Sequence, residues 1–295
     1  MRNWYKSGEP WVWMTAGAVA LSLIMVYAVV WLTAARGLTH FWPKPVAEVT
    51  YQDRSGTSVR LIGEIREKEE VSVVRLREQG YDIESKDVFT DRYLIKLGNK
   101  DLTGVDFKWY PAPMLGEFSY PKDLLAIERR EWGNFYGHLK EVKENGQVVA
   151  AGDAAWAEAR MRMARSNDLF RQAIRIEKVE IGKINYALEK LRLRERRLEI
   201  DGKLTEAAKA QLAKDRQVQE AEYAGLQGRL DKIRAEIERD SITVETSDGQ
   251  RVDIPFAKIA DIYMPNAMSV WQKMGFYVHK FWEFVSDDPR EANTE

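Results

Sequence analysis

Glu128 and Glu131, three residues apart in "IERREWG", are the first side chains whose types could do chemistry, because paired carboxylates can divide general-acid and general-base roles. Solvated carboxylates on one helix face share that spacing, and this plainer reading outweighs catalysis. His40, His138 and His279 fall in a membrane exit, a strand and a terminal helix. None has a second histidine at ligand spacing, so structural or exposed histidines are expected rather than metal ligands. "LGNKDLTG" brings together Gly98, Lys100, Thr103 and Gly104 without the spacing of a phosphate loop, and reads as a turn. In "LRLRERR" the basic Arg192, Arg194, Arg196 and Arg197 surround Glu195 and precede Glu199, which favours ion pairing between helical arms over nucleic-acid contact. The absence of cysteine excludes disulfides, thiolate catalysis and cysteine metal clusters. With 45 Lys plus Arg against 46 Asp plus Glu, the net charge of -1 gives no general pull toward nucleic acid. No catalytic, cofactor-binding or metal-ligating residue is expected, hence no cofactor and no enzyme. A compact cluster of Glu128, Glu131, Trp132 and His138 is the arrangement that reverses this expectation.

The elements that would position these residues begin with "WVWMTAGAVALSLIMVYAVVWLTAA", Trp11 to Ala35, which carries no charge and is long enough to cross a hydrocarbon layer of about 30 Å as a helix. It exceeds the apolar core of a signal peptide and lacks a small-x-small exit, so an uncleaved anchor is expected. Trp11, Trp13, Trp31 and Trp42 sit where interfacial aromatics belong. Arg2 and Lys6 against Glu9 on one flank, and Arg36 and Lys44 against Glu48 on the other, favour a cytoplasmic N-terminus.

Strand pairs follow: "VAEVTY" with "SVRLIGEI" across "QDRSGT", "DRYLIKL" with "VDFKWYP", and "NFYGHLKEVKE" with "QVVA" across Asn145-Gly146. Residues 66–90, charged and weakly periodic, read as a mobile or short helical connection. From Asp153 to Asp240 the sequence is free of proline and rich in helix formers. Ile174, Ile181 and Leu188, with Phe170, Ile184, Leu191 and Leu198 one stripe over, face a second set of Leu212, Tyr223, Leu226, Leu230, Ile233 and Ile237. Asp201-Gly202 interrupts the repeat, predicting an antiparallel hairpin with arms of about 50 to 60 Å. "SITVETSDGQRVDIPFAKIADIYMP" returns to strands, which need partners from before the hairpin to be stable. The terminal "SVWQKMGFYVHKFWEFVS" reads as a helix capped by Ser269 and Gln272, with Trp271, Met274, Val278, Phe281 and Val285 on a face suited to a bilayer interface.

The expected fold is therefore α+β and membrane-anchored. Residues 1–43 form the tail and transmembrane anchor, 44–152 the first part of a small discontinuous β-rich periplasmic domain, and 153–240 the inserted coiled-coil hairpin. Residues 241–265 complete the β-rich domain, and 266–295 are an amphipathic interfacial helix with a polar tail.

The anchor segment "SGEPWVWMTAGAVALSLIMVYAVVWLTAARGLTHFWP", with "LIKLGNKDLTGVDFKWYP", "PKDLLAIERREWGNFYGHL" and "VDIPFAKIADIYMPNAMS", resembles the long N-terminal region of PstA, the phosphate ABC transporter permease family of proteobacteria. The resemblance runs over essentially all 295 residues, the hairpin contributing least. It implies a bacterial inner-membrane subunit of a phosphate uptake system, with residues from about 44 to 285 on the periplasmic face. It also implies as partners a second permease subunit, cytoplasmic ATPase subunits, a periplasmic phosphate-binding protein and membrane lipid. ATP hydrolysis would belong to the partners. One span encloses no transport path, so the resemblance carries over no phosphate-binding or coupling residue. The alternative from a different class is a membrane-anchored periplasmic adaptor or scaffold, for which paired lipoyl-like half-motifs are expected beside the hairpin; Ala150–Asp153 and Ser241–Gln250 do not supply them.

Overall fold

The computed structural model describes residues 8–53, 56–83 and 87–286. Arg2 and Lys6 of the charge bias, Arg54 and Ser55 of the first expected turn, and the polar tail beyond Ser286 lie outside these residues. The chain divides into two units, one of Met1–Lys44 with Met268–Glu295 and one of Pro45–Ala267.

Helix α1, Glu9–Leu38, starts with Pro10 in its first turn, where a missing N–H leaves no hydrogen bond unmade, and closes into a single 3-10 turn, Thr39–Phe41. Its large apolar side chains are exposed all round, as at Trp13, Ile24 and Trp31. Such a surface suits hydrocarbon rather than water. Among the described residues this is the one helix long and apolar enough to cross a membrane, which gives the chain a single-pass topology by length and composition.

The second unit carries two antiparallel sheets. In the first, β1 (Val46–Gln52), β2 (Ser58–Ser72), β3 (Phe89–Lys96) and β4 (Phe107–Pro111) pair in sequence order. Here the expectation for residues 66–90 needs correction. Arg66–Ser72 extend β2, and Val73–Glu78 form a short helix, α2, whose Val73 and Leu76 pack with Val71 and Ile83. The strand reads as weakly periodic because both of its faces here meet water; charges paired across it support it instead, Arg92 with Glu69 at 2.7 Å and Lys68 with Asp91 at 2.8 Å. Between β3 and β4 lies a one-turn helix, α3 (Lys100–Thr103).

The second sheet contains β5 (Leu124–Arg129), β6 (Asn134–Glu144), β7 (Gln147–Ala151), β8 (Asp240–Glu245), β9 (Arg251–Pro255) and β10 (Ile259–Tyr263), in the order β10-β5-β6-β8-β9 with β7 also on β6. Strands β6 and β7 turn at Asn145 and Gly146, both with positive φ (48° and 77°), as a two-residue hairpin of this handedness requires. The helical segment enters after β7 and returns into β8, which pairs with β6, so one sheet is assembled from both sides of the insertion. Asn266 closes the unit on itself: its Nδ2 donates to the carbonyls of Val46 (2.7 Å) and Pro121 (2.8 Å).

The outgoing arm of the insertion is α4 (Asp153–Arg175), a π turn (Ile176–Glu180) and α5 (Ile181–Ile200); the return arm is α6 (Glu206–Glu238). Near the sheet, Ala155, Ala159 and Met163 of α4 complete a core with Leu125, Phe135 and Ile242. Farther out, Ala173, Ile176, Ile184, Leu226 and Leu230 bury one another. The face runs through Ala173 and Ile176 rather than Ile174, and the π turn explains its continuation. A five-residue step from Ile176 to Ile181 leaves an ideal α-helical stripe, but the extra residue of a π turn absorbs the excess rotation. At the far end Gly202 (φ 65°) and Lys203 donate to the carbonyls of Glu199 (3.1 Å) and Leu198 (2.8 Å), the hydrogen-bond pair of a glycine helix stop. Thr205 then caps α6 by accepting from the Ala208 N–H.

In the first unit, helix α7 is Val270–Ser286. Ser269 and Gln272 form the expected reciprocal cap, Gln272 Oε1 accepting from the Ser269 N–H (2.8 Å) and Ser269 Oγ from the Gln272 N–H (3.3 Å).

Candidate functional site

The sequence candidates for chemistry do not converge. Glu128 lies in β5, a strand rather than the helix that the carboxylate spacing suggested, because Leu124–Ile127 are fully buried on both faces of the sheet. A short apolar run of this kind has no periodicity that separates strand from helix. Glu131 is exposed in the β5–β6 turn, beside Trp132 with φ 69°. The ladder pairs Glu128 with Asn134 and Leu124 with His138, so Glu128 and His138 stand four ladder positions apart, about 13 Å. His138 Nδ1 instead meets Asp123 at 2.8 Å, His279 pairs with Glu283 at 3.3 Å, and His40 lies edge-on to Phe41. No group of three or more His, Asp or Glu able to hold a metal is present among the described residues. Arg192 and Arg196 are occupied by Glu189 (2.8 Å) and Glu199 (2.6 Å) on their own helix.

Three other constellations organise the molecule. The first joins the two sheets around Tyr136, which is fully buried. Its hydroxyl donates to Glu64 Oε1 (2.7 Å) and accepts from Asn134 Nδ2 (3.1 Å), while Asn99 brackets its backbone, accepting from its N–H (2.9 Å) and donating to its carbonyl (3.2 Å). A bulge in β2 inserts Arg66, which reaches back to Glu64 Oε2 at 2.7 Å. Gly98 (φ 60°) lets this approach happen: a Cβ there would sit 2.5 Å from the Asn134 carbonyl oxygen. Burial, reinforced by Glu64, pushes the Tyr136 phenol far above its usual range, and burial pushes Lys96 nearby below its own. The network fastens the two sheets together, with the protonated phenol as donor to Glu64 of the first sheet. One signal in the sequence pointed to it: Glu64 is a lone acid inside the apolar strand "RLIGEI".

The second fixes the base of the helical arms. Arg162 of α4 donates to Glu158 (2.7 Å), Glu144 of β6 (2.8 Å) and Asp240 of β8 (2.6 Å), and Arg239 adds contacts to Asp240 (3.0 Å) and Glu144 (3.3 Å). The Asp240 side chain is only 6% exposed, so this pairing is sheltered from water. The Arg162 hydrogen bond holds the Glu144 carboxyl below the usual carboxylate range.

No family model, curated protein or solved structure matches this chain.

The third constellation lies at the exit of α1. Phe41 packs against Tyr277, Phe281 and Phe284 of α7, with ring centroids 6.4, 5.9 and 5.3 Å away, and Trp42 lies 6.2 Å from Tyr277. Leu38, Thr39, Trp42, Lys44 and Tyr277 line a cleft of about 350 Å³ beside them. The neighbouring stripe of α7, Trp271, Met274, Val278, Trp282 and Val285, stays exposed. In this unit an apolar helix long enough to cross a membrane is followed by an aromatic cluster that seats α7 with one apolar stripe left exposed.

Proposed function

We propose that this chain is a non-enzymatic, membrane-anchored assembly subunit that holds a helical hairpin, through a rigid sheet unit, next to a membrane complex. The observation that carries this reading is α1, whose uncharged run from Trp11 to Ala35 exposes large apolar side chains all round and whose exit packs against the amphipathic α7 through Phe41. The sheet unit is joined in sequence to this anchor at both of its ends, at Pro45 and Ala267. Within the resemblance to phosphate permeases, the sheets and hairpin belong on the periplasmic face of a bacterial inner membrane with α7 in the lipid interface. There the unit assists assembly with a second permease subunit or delivery from the periplasmic phosphate-binding protein, while cytoplasmic partners hydrolyse ATP. The test is deletion of residues 154–240 in a complete transporter, followed by recovery of the solubilised complex and phosphate uptake. A fall in either supports the reading, and unchanged recovery and uptake overturn it.

The second reading, a membrane-anchored adaptor or scaffold, is favoured by one specific feature: the outer face of α5 exposes large apolar residues that the hairpin does not use, including Tyr186 and Leu193. Loss of cross-linking to another envelope protein in the same deletion, with uptake intact, selects it.

A further inference from the structure

Val179, Tyr186, Leu193 and Ile200 recur at intervals of seven, and all four are exposed, Tyr186 and Ile200 at 71% and 73%. Seven residues are close to two helical turns, so they form one stripe along the distal part of the outgoing arm, on a different side from Ile184 and Leu188, which meet α6. Lys183, Lys190 and Arg197 lie beside it, each three residues before one stripe residue and four after the preceding one. None of these three cations has an ion-pair partner among the described residues, whereas Glu189 on the other border is paired with Arg192 at 2.8 Å. Helix α5 carries six basic and three acidic side chains, against six and seven on α6. The excess positive charge is thus confined to the arm that bears the free apolar stripe.

We infer that this face of α5 is a docking surface for an acidic amphipathic helix of another protein, one with apolar residues at heptad spacing bordered by a row of Glu or Asp. Such a helix buries Tyr186 and Leu193 in a third coiled-coil position and sets its carboxylates against Lys183, Lys190 and Arg197. The inference rests on the reading of the hairpin as the element that engages partners, but its test involves no transporter.

The experiment uses the full chain in detergent micelles and two fluorescent 28-residue helical peptides, both with leucine at heptad positions, one flanked by glutamate and the other by lysine. The acidic peptide should bind about tenfold or more tightly than the basic one, and lose most of that advantage when salt rises from about 0.05 to 0.5 M. Leu193→Ser should weaken acidic-peptide binding by about tenfold with unchanged helical circular dichroism. Triple reversal of Lys183, Lys190 and Arg197 to glutamate should invert the preference. Equal binding of both peptides, indifference to Leu193→Ser, or a dimer of the chain that Leu193→Ser dissociates, each overturns the inference. Failure of the hairpin deletion to affect transport, with acidic-peptide binding intact, overturns the transporter role and leaves this surface standing.

Discussion

Arg162→Met removes the clamp that fixes the hairpin to the sheet. Arg162 bridges Glu144, Glu158 and Asp240, of which Asp240 is the buried partner. Orphaning a buried charge costs about 3–5 kcal/mol. Asp240 keeps Arg239 at 3.0 Å and a longer contact to Arg165 at 3.6 Å, so the expected cost falls to roughly 2–3 kcal/mol. The expected readout is backbone hydrogen exchange in full-length protein in micelles. Amides in 153–165 and 240–245 should open roughly 30- to 100-fold more readily, while those near Tyr136 change little. Arg162→Met with Asp240→Asn removes the stranded charge and should recover a substantial part of the loss. A change under about threefold at the hairpin base, or a double variant no better than the single, refutes the clamp.

Tyr136→Phe leaves Glu64 with Arg66 but without its phenol donor, and should lower stability to denaturant by about 1–2 kcal/mol. Gly98→Ala should cost more, about 2 kcal/mol or above, because a positive φ and a close carbonyl act together; an unchanged unfolding midpoint contradicts this. Phe41→Ala should loosen α7 from the exit of α1, seen as faster proteolysis after Lys273 or Lys280; unaltered cleavage argues against the aromatic contact. Acid should weaken the second unit. Arg162 depresses Glu144, and Lys143 and Thr243 depress Asp253 although burial opposes them. A depressed folded pKa gives stability that is complete above the unfolded value, 4.5 for Glu144, and is lost as pH falls through the folded one. Alkali should weaken it too, because burial raises the Tyr136 and Tyr263 phenols, so their contribution is complete below the ordinary 10.0 and fades above it. A unit equally stable at pH 3, 7 and 11 contradicts both halves of that profile.

Local features of the chain are legible in its residue types alone. The uncharged run of α1, Asn145-Gly146, Asp201-Gly202 and the Ser269/Gln272 cap each depend on residues close together in sequence, so no distant partner is needed to read them. The relations that place one element on another are not of this kind. Tyr136 meets Glu64 across 72 positions and Arg162 meets Asp240 across 78, and no pattern within either segment encodes the partner. Arg66–Ser72 shows the same limit in another form. Its support is the opposing charge on β3, so the alternation that marks a half-buried strand is absent. The helix reading of Glu128 and Glu131 failed because the run before them is buried on both sides, which erases the signal that separates strand from helix.

The absence of cysteine makes the decisive measurement simple, since each introduced thiol is the only one in the chain. Single variants Lys203→Cys at the hairpin tip and Gln147→Cys beside the β6–β7 turn can be treated with a membrane-impermeant maleimide in cells whose outer membrane is opened and inner membrane intact. An anchored subunit with its sheets and hairpin outside the inner membrane predicts rapid labelling at both positions. Labelling only after the inner membrane is breached, or labelling at one position and not the other, contradicts the account.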